Sequence, residues 1–373
     1  MVFDESKPER AAPLNRFLVW LNLLAAFILL CTQIAPSISP GRWWFLELIA
    51  NAYPFAVVAN LVFLVIWGMR RNRFFFISAS ILLTGYDKLG RLYQPGWFPV
   101  DTVAPAKSVK VISYNVRLFD LYNWTGNLKT RRKILDFLGS ERPDILCLQE
   151  YYSSDKGDFE NNHSIRRLLK LPYSTIKYGI TLRKTDHWGL ATFSRYPIVN
   201  EGTLFFEEGK SNFGMFSDLV MDGDTVRVYN VHLQSNHFKR RDYHLIGNAD
   251  EMSNDSLMKG TRSLLGRIRR AVIRRSQQVE ELRNHMDQCP YPILLCGDFN
   301  DPPSSYAYQI LRQNMMDAFQ EKGNGFGNTY FGFPLGLRID YILHSPHWRT
   351  HSFVTGKQRL SDHYPIISRL SLR

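Results

Sequence analysis

The sequence predicts an α/β protein: a two-layered β-sandwich flanked by helices and preceded by two or three transmembrane helices. Two observations carry this prediction. The first hundred of the 373 residues are far more apolar than the rest of the chain. From residue 109 onwards, short β-branched and apolar runs alternate with a few stretches of helical periodicity. A chain of this length can bury a large core in addition to a membrane segment.

Three apolar runs near the N-terminus predict the membrane segments. The run 17–35 carries no charged residue and has the length of a helix that spans a bilayer. A second run, 48–69, is interrupted by two asparagines and a proline. The third, 74–89, is short for a span, but we expect it to cross. A cleaved signal peptide and buried helices of a soluble domain are the alternatives, although the first run is too long for a signal peptide.

Basic residues set the predicted orientation in the membrane. They flank the first two runs on the side expected to be cytoplasmic, and they are Lys7, Arg10, Arg16, Arg70, Arg71 and Arg73. Three crossings would place the following domain outside the cytoplasmic membrane, and two would keep it inside. We expect three, and hence a multi-pass protein of the cytoplasmic (inner) membrane with an extracytoplasmic C-terminal domain.

Residues 1–105 are predicted to form the membrane anchor and a linker, and residues 106–373 a second domain. The linker is the proline- and glycine-containing stretch 94–107. Strands of the second domain are predicted near 109–115, 145–148, 180–182, 190–193, 226–233, 292–295, 339–343 and 366–370. Helices are predicted over 131–138 and 264–282, and the second helix has an arginine-rich face between Arg267 and Arg275.

Polar side chains follow almost every predicted strand of the second domain. In chain order they are Asn115 in Ser-Tyr-Asn-Val-Arg, Glu150 in Leu-Gln-Glu, His232 in Asn-Val-His-Leu, Asp298 and Asn300 in Gly-Asp-Phe-Asn, Asp340 in Arg-Ile-Asp-Tyr, and Asp362 and His363 in Ser-Asp-His-Tyr-Pro. Because strand ends deliver side chains to the rim of a sheet, we expect these groups to lie together. Metal-assisted hydrolysis of phosphoesters needs such carboxylates, amides and histidines.

This ordered set of motifs resembles the endonuclease/exonuclease/phosphatase superfamily, which includes pancreatic-type deoxyribonucleases, abasic-site endonucleases, neutral sphingomyelinases and inositol-phosphate phosphatases. The resemblance covers about residues 106–373. It implies a deoxyribonuclease I-like sandwich and a metal-dependent hydrolase of phosphoester bonds. The expected metal is Mg²⁺, with Mn²⁺ as the alternative, because hard oxygen ligands suit both ions.

The resemblance also implies a metal site. Glu150 is its central ligand, with Asn115 and Asp362 beside it, and Asn115 also binds the substrate phosphate. Arg117 stands where many relatives carry a further carboxylate, which weakens the case for a second acidic ligand at that corner. Arg117 is either a phosphate-binding residue, as the deoxyribonuclease branch suggests, or a plain surface arginine.

The catalytic residues follow from the same resemblance. Asp298 positions or deprotonates the attacking water, and Asn300 orients the phosphate. Asp340 fixes the tautomer of His363 and raises its basicity. His232 faces the leaving group and protonates it, or else it is a strand histidine held by a local hydrogen bond.

The substrate is less well defined than the reaction. A formal charge of +12 suits a polyanionic substrate or an anionic membrane surface. The Asn-x-Arg motif and the two histidines favour a nucleic-acid phosphodiester, whereas the membrane segments favour a phospholipid headgroup. The arginine-rich helix face contacts nucleic-acid phosphates, anionic headgroups or only solvent. A non-catalytic membrane scaffold is the remote alternative. The bilayer is the one partner expected besides the substrate, and no protein partner is inferred.

Overall fold

The computed structural model describes residues 13–96, 107–204, 206, 212–236, 254–332 and 336–373. The predicted linker lies largely outside these residues, as do Lys7 and Arg10.

The described residues form strands β1 (Val109–Asn115), β2 (Ile145–Ser154), β3 (Tyr173–Leu182), β4 (Asp186–Ser194), β5 (Ile198–Leu204), β6 (Gly214–Met221), β7 (Asp224–His232), β8 (Ile293–Asp298), β9 (Met316–Asp317), β10 (Asp340–His344), β11 (Trp348–Thr355) and β12 (Ile366–Leu372). The helices are α1 (Pro13–Ile34), α2 (Pro40–Trp43), α3 (Leu46–Asn51), α4 (Tyr53–Met69), α5 (Phe75–Thr84), α6 (Tyr86–Leu92), α7 (Thr130–Glu141), α8 (Asn161–Leu169), α9 (Asn254–Asp287), α10 (Tyr306–Leu311) and α11 (Ala318–Lys322).

The strands form two six-stranded mixed sheets, which confirms the predicted sandwich. The first has the order β11-β12-β1-β2-β4-β3 and the second β5-β6-β7-β8-β10-β9. Apolar side chains of both sheets, including Val111, Val228 and Leu294, fill the layer between them. Two further clusters bury the outer face of the first sheet under α7 and α8, and that of the second under α9 and α10. The central strands β1, β8 and β10 are buried on both faces and read as continuous apolar runs, which is why the sequence revealed them, whereas the central strand β6 was not predicted.

The N-terminal region corrects the predicted number of membrane spans. Among the described residues, one helical segment, Asn15–Ser37, is long and apolar enough to cross a bilayer. The second predicted run divides at Ala52, because Pro54 lies in the first turn of α4 and cannot continue α3. The 17-residue α4 is about 26 Å long and the 10-residue α5 about 15 Å, against a hydrocarbon core of about 30 Å. The prediction of two or three long spans was therefore wrong.

The helices α1, α4 and α5 bury a few polar groups beside an apolar cluster that includes Leu29 and Val57, and they leave other apolar side chains exposed. Asn22, Asn60 and Ser78 are fully buried between the helices, and the Ser78 hydroxyl donates to Asn22 Oδ1 at 2.7 Å. Large apolar side chains are exposed on the outer faces, among them Phe17, Trp20, Leu24, Phe27, Phe55, Val58, Val62, Val65 and Leu83. Polar contacts inside a bundle are typical of membrane helices, and an apolar exterior marks a surface that contacts lipid or protein.

The N-terminal helices pack directly on the sandwich. Ser39, between α1 and α2, donates its hydroxyl to Glu280 Oε1 of α9 at 3.1 Å. Arg91 of α6 donates to Gln309 Oε1 at 2.7 Å, and its carbonyl oxygen accepts from Arg338 Nη2 at 2.8 Å. The residues after α1 and those of α6 thus form hydrogen bonds with three separate parts of the second domain.

Glu47 of α3 is buried at this junction and accepts the backbone N–H of Tyr306 at 3.3 Å. Burial, reinforced by the charge of Asp301, raises the pKa of Glu47 from 4.5 to about 8. The folded protein therefore binds this proton more tightly than the unfolded chain. The contribution of this group to stability is complete below about pH 4.5 and is lost as the pH rises through about 8.

We expect Glu47→Gln, which keeps the shape of the neutral acid, to raise the melting temperature by about 5 °C at pH 9 and by roughly half of that at pH 6. The reason is that the wild-type penalty grows from pH 4.5, where the unfolded chain begins to lose this proton, to about pH 8, where the folded protein loses it too. Thermal unfolding in detergent measures the effect, with Glu281→Gln on the exposed face of α9 as the matched control. Equal shifts at the two pH values would contradict a raised pKa at Glu47.

Candidate active site

The predicted site residues lie together at one edge of the two sheets. Asn115 ends β1, His232 ends β7, Asp298 ends β8 and Asp340 begins β10. Because β7 and β8 are parallel, their C-terminal ends meet at one edge, and the antiparallel β10 brings its first residue to the same place. His232, Asp298 and Asp340 consequently occupy neighbouring register positions.

A glycine in β8 permits the close approach of β7 and β8 at this edge. An ideal Cβ on Gly297 would lie 2.1 Å from the carbonyl oxygen of Val231. A larger residue would push the strands apart and separate Asp298 from His232. The glycine before Asp298 is therefore a packing requirement of the site.

Glu150 reaches the site through an irregularity in β2. The register between β2 and β4 shifts between Leu148 and Tyr151, and Glu150 adopts a φ of 45°. Such a bulge turns a side chain away from the normal alternation of the strand, at a cost in backbone strain. The side chain of Glu150 is 35% exposed, so this carboxylate opens to solvent at the edge of the site.

Asn115 and His232 connect the carboxylates of Glu150 and Asp298. Asn115 Nδ2 donates to Asp298 Oδ2 at 3.0 Å and to Glu150 Oε1 at 3.2 Å. Nε2 of His232 lies 3.7 Å from Asp298 Oδ2 and 3.8 Å from Glu150 Oε1. The Asn115 side-chain oxygen accepts the backbone N–H of Arg117 at 3.1 Å, so the amide presents its NH₂ group to the two carboxylates.

Asp340 and His363 form a buried pair. His363 Nδ1 donates to Asp340 Oδ2 at 2.9 Å, and His363 Nε2 lies 3.7 Å from Asp298 Oδ2. Burial alone would lower the pKa of His363, but the charges of Asp340 and Asp298 outweigh it and raise the pKa to about 10. Burial, together with the charge of Asp340, raises the pKa of Asp298. This half of the site holds an imidazolium between two carboxylates.

Asn300 follows β8 in a left-handed conformation with φ 55°, which asparagine adopts more readily than most residues. Its backbone N–H donates to Asp298 Oδ1 at 2.8 Å, and its side-chain Nδ2 donates to the Leu233 carbonyl oxygen at 2.9 Å. These two bonds hold the loop after β8 against the end of β7 and fix the second oxygen of Asp298.

Arg117 has an acidic partner. Its Nε lies 3.3 Å from Asp362 Oδ2, and its guanidinium stacks on Trp124 at 4.4 Å from the ring centre. Trp124 packs against Tyr122 with ring centres 5.1 Å apart, and both rings are exposed. The corner where the resemblance implied a further carboxylate thus carries a cation that balances Asp362.

The donor set fits a divalent cation. Within the part of the chain that the structure describes, Asp340 Oδ1 is a buried oxygen with no hydrogen-bond partner. Carboxylate oxygens of Asp298 and Asp340 lie within 4.8 Å of each other, beside the His363 ring, whose protonated form leaves no nitrogen free to bind a metal. Glu150 and Asp362 add two partly exposed carboxylates. Hard oxygen donors in this number suit Mg²⁺ or Mn²⁺.

Sequence reasoning missed the segment that covers His363. The Tyr330 ring lies 5.0 Å from the His363 ring, and Thr329 Oγ1 accepts the backbone N–H of Asp340 at 3.1 Å. The Tyr364 N–H donates to the Thr329 carbonyl oxygen at 2.6 Å. These residues follow a glycine-rich stretch without strand periodicity, so no local pattern marked them as part of the site.

The arginine-rich face of α9 is only partly exposed. Arg275 is buried, and it donates to both carboxylate oxygens of Asp301 at 2.7 and 2.8 Å. It also donates to the Gln234 carbonyl oxygen. The prediction that Arg275 belongs to a face that contacts phosphates or headgroups was therefore wrong. This side chain instead connects the loops after β7 and β8.

A two-sheet sandwich with carboxylates, amides and a histidine–aspartate pair at one edge defines a hydrolase of phosphoester bonds. The model of the Endonuclease/Exonuclease/phosphatase family matches residues 112–363, and the chain belongs to this family. The model of a domain of unknown function matches residues 15–92, the segment with the N-terminal helices.

Curated relatives at low identity include sphingomyelin phosphodiesterase 2 from Mus musculus, 24% identical over 268 residues, which are 64% of this chain and 57% of that protein. The Homo sapiens protein of the same name is 23% identical over 271 residues, covering 62% of this chain and 56% of its own length. The chain thus spans little more than half the length of these relatives.

Solved structures show the same fold. An endonuclease/exonuclease/phosphatase from Beutenbergia cavernae superposes with a TM-score of 0.52 at 16% identity, covering 71% of this chain and 72% of its own. The catalytic domain of human nocturnin superposes with a TM-score of 0.51 at 18% identity, and the match covers 72% of this chain and 94% of the nocturnin chain.

Proposed function

We propose that this protein is a divalent-metal-dependent phosphodiester hydrolase held at a lipid bilayer by its N-terminal helices. The observation that carries the proposal is the convergence of Asn115, Glu150, His232, Asp298 and the Asp340–His363 pair at one sheet edge. Glu150 and Asp362 would hold the cation, which neutralises phosphate charge when it is bound. Asn115, the further ligand predicted from the sequence, would have to turn its side-chain oxygen away from the Arg117 N–H to join them.

The remaining residues account for the proton transfers. Asp298, with its raised pKa, is suited to accept a proton from the attacking water. His363 as an imidazolium donates Nε2–H to a phosphoryl oxygen, and Asn300 lies beside Asp298 to position the substrate. As the water oxygen bonds to phosphorus and the bond to the leaving oxygen breaks, His232 supplies the proton that the leaving oxygen needs.

The proposal is tested with the purified full chain in detergent and four substrates: DNA, RNA, phospholipid vesicles and a small soluble chromogenic phosphodiester. We expect the small diester to be hydrolysed with Mg²⁺ or Mn²⁺ and to survive in the presence of a chelator. Hydrolysis that is unchanged by the chelator would refute metal dependence, and absence of hydrolysis on all four substrates would refute the enzyme.

The apolar exterior of α1, α4 and α5 supports contact of this helical segment with a bilayer, and α1 is the described helix that is long enough to cross it. Arg70 Nη1 donates to Asn15 Oδ1 at 2.9 Å, so the basic turn after α4 lies beside the start of α1. The other end of α1 adjoins the sandwich, where Ser39 contacts Glu280. Because basic residues favour the cytoplasmic face, this arrangement supports an extracytoplasmic location of the sandwich.

We expect a reporter enzyme that is active only outside the cytoplasm to be active when fused after Arg373. The same reporter fused after Asn72, in the basic turn, should be inactive. The reason is that the two fusion points lie at opposite ends of the long helix α1. The reverse pattern, active after Asn72 and inactive after Arg373, would place the catalytic domain in the cytoplasm.

The nucleic-acid substrate remains a second candidate function. Tyr122 and Trp124 are 60% and 44% exposed beside the stacked Arg117, and exposed aromatic rings next to a cation can stack on unpaired bases. The sphingomyelin phosphodiesterases among the relatives support a lipid phosphodiester instead. The four-substrate comparison separates the two, because a nuclease should cleave DNA or RNA well above the rate for vesicles.

A further inference from the structure

A cavity of about 650 Å³ lies between the N-terminal helices and the sandwich. Its volume is in the range of pockets that bind small molecules. Residues of α3, α4 and α6 form one wall, and residues of α9 and of the loops after β8 and before β10 form the other. The cavity therefore exists only because the helical segment is packed on the catalytic domain.

One end of the cavity is apolar and continuous with the outer surface of the helices. Leu48, Phe55 and Val58 line it from α3 and α4, and Ile268 lines it from α9. Phe55 and Val58 are also 63% and 59% exposed on the apolar exterior of the helices. Apolar side chains thus lead from the exterior of the helices into the cavity, and a hydrocarbon chain could follow them.

The other end of the cavity reaches the catalytic edge. Asn300, Asn328 and Tyr330 line it. The backbone N–H of Asn300 donates to Asp298 Oδ1, and the Tyr330 ring packs on His363, so both residues touch the catalytic groups directly. A molecule in the cavity would therefore extend from the apolar exterior to the position of the reacting phosphate.

The cations of the lining are engaged in internal contacts. Arg91 pairs with Asp87 and donates to Gln309, and Arg338 donates to Asp317 at 2.8 Å. Lys88, the third cation of the lining, donates to the carbonyl oxygen of Gln33. The apolar wall offers no replacement for the hydration of a polyanion, which argues against a nucleic-acid strand in this space.

We propose that this cavity binds the hydrocarbon part of a phospholipid-type phosphodiester and places its phosphate at the catalytic edge. The inference rests on the proposed hydrolase function and names the substrate class of the same site. The helical segment is then part of the substrate-binding site as well as an anchor, because it supplies one wall of the cavity.

The test uses soluble alkyl 4-nitrophenyl phosphate diesters with alkyl chains from methyl to octyl, kept below the concentrations at which they form micelles. For the full-length protein in detergent with Mg²⁺, we expect kcat/KM to rise about fourfold for each methylene that enters the cavity. No rise with chain length, while the methyl diester is still hydrolysed, would overturn the cavity proposal and leave the hydrolase intact. No hydrolysis of any diester would overturn the hydrolase itself.

A pair of variants on one helix locates the effect. Val58→Trp narrows the cavity, and we expect it to lower the ratio of octyl to methyl kcat/KM at least tenfold. Val65→Trp is the matched control: Val65 lies two turns further along α4, is 55% exposed and does not line the cavity. Equal ratios in the two variants would overturn the proposal. Thermal unfolding of both proteins verifies folding, and the chain-length series of the wild type decides the question if Val58→Trp does not fold.

Discussion

Replacing Glu150 with glutamine is expected to reduce metal-dependent hydrolysis of every phosphodiester substrate by a factor of about a hundred or more. The substitution keeps the size of the side chain and removes the one site carboxylate that both opens to solvent and contacts Asn115. A bound cation contributes several kcal/mol of charge stabilisation to phosphoester hydrolysis, and each 1.4 kcal/mol is about tenfold in rate. Steady-state rates at saturating Mg²⁺, compared with the wild type in a chelator, measure the loss.

Glu281→Gln serves as the control because it removes the same charge from an exposed position of α9. It should leave the rates unchanged. A Glu150→Gln enzyme with near-normal rates in Mg²⁺ would show that the cation binds elsewhere. A loss that excess Mg²⁺ restores would instead identify Glu150 as a residue that sets metal affinity.

The strands that carry the site could be predicted because burial on two faces leaves a continuous apolar run. Strands β1, β2, β7, β8, β10 and β12 all belong to this class. The edge strand β5, by contrast, contains Asn200 and Glu201, and β11 contains Arg349 and His351. A strand that faces solvent on one side resembles a loop in composition, so these two strands could not be recognised locally.

The site residues could be named from motifs, but their contacts could not. The bulge that aims Glu150 depends on the pairing of β2 with β4, and the segment over His363 depends on the loop around Tyr330. Arg275 is another residue whose contacts could not be predicted from the sequence. Its spacing on α9 resembled a basic surface, and only the position of Asp301 in the folded protein makes it a buried structural residue.

The predicted number of membrane-spanning helices was wrong for a related reason. Hydropathy measures how apolar a run is, but the length of a helix depends on where the chain can remain helical. Pro54 divides the second run, and Gly85 ends α5 after ten residues. The buried Asn60 and Ser78 interrupted the apolar pattern in the sequence, yet in the folded bundle they face each other inside it.

The second large effect is expected at the buried histidine–aspartate pair. His363→Ala should lower kcat about a thousandfold, because removal of a positioned acid–base group costs about 10²–10⁴ in rate. Asp340→Asn should cost less, about ten- to a hundredfold, since it weakens the 2.9 Å contact to His363 Nδ1 and removes part of the charge that keeps the imidazole protonated. The exposed His163 of α8 provides the control variant, His163→Ala, with no expected change.

Each variant also needs a readout of folding, because His363 lies between Asp298 and Asp340 and its loss leaves two buried carboxylates without their cation. Cooperative thermal unfolding with Mg²⁺ present should persist in all three variants if the role of the pair is in the reaction. If Asp340→Asn were as active as His163→Ala, Asp340 would not position the histidine. If His363→Ala lost activity only together with its cooperative transition, the pair would be structural, and the proton transfers would have to be reassigned to Asp298 and His232.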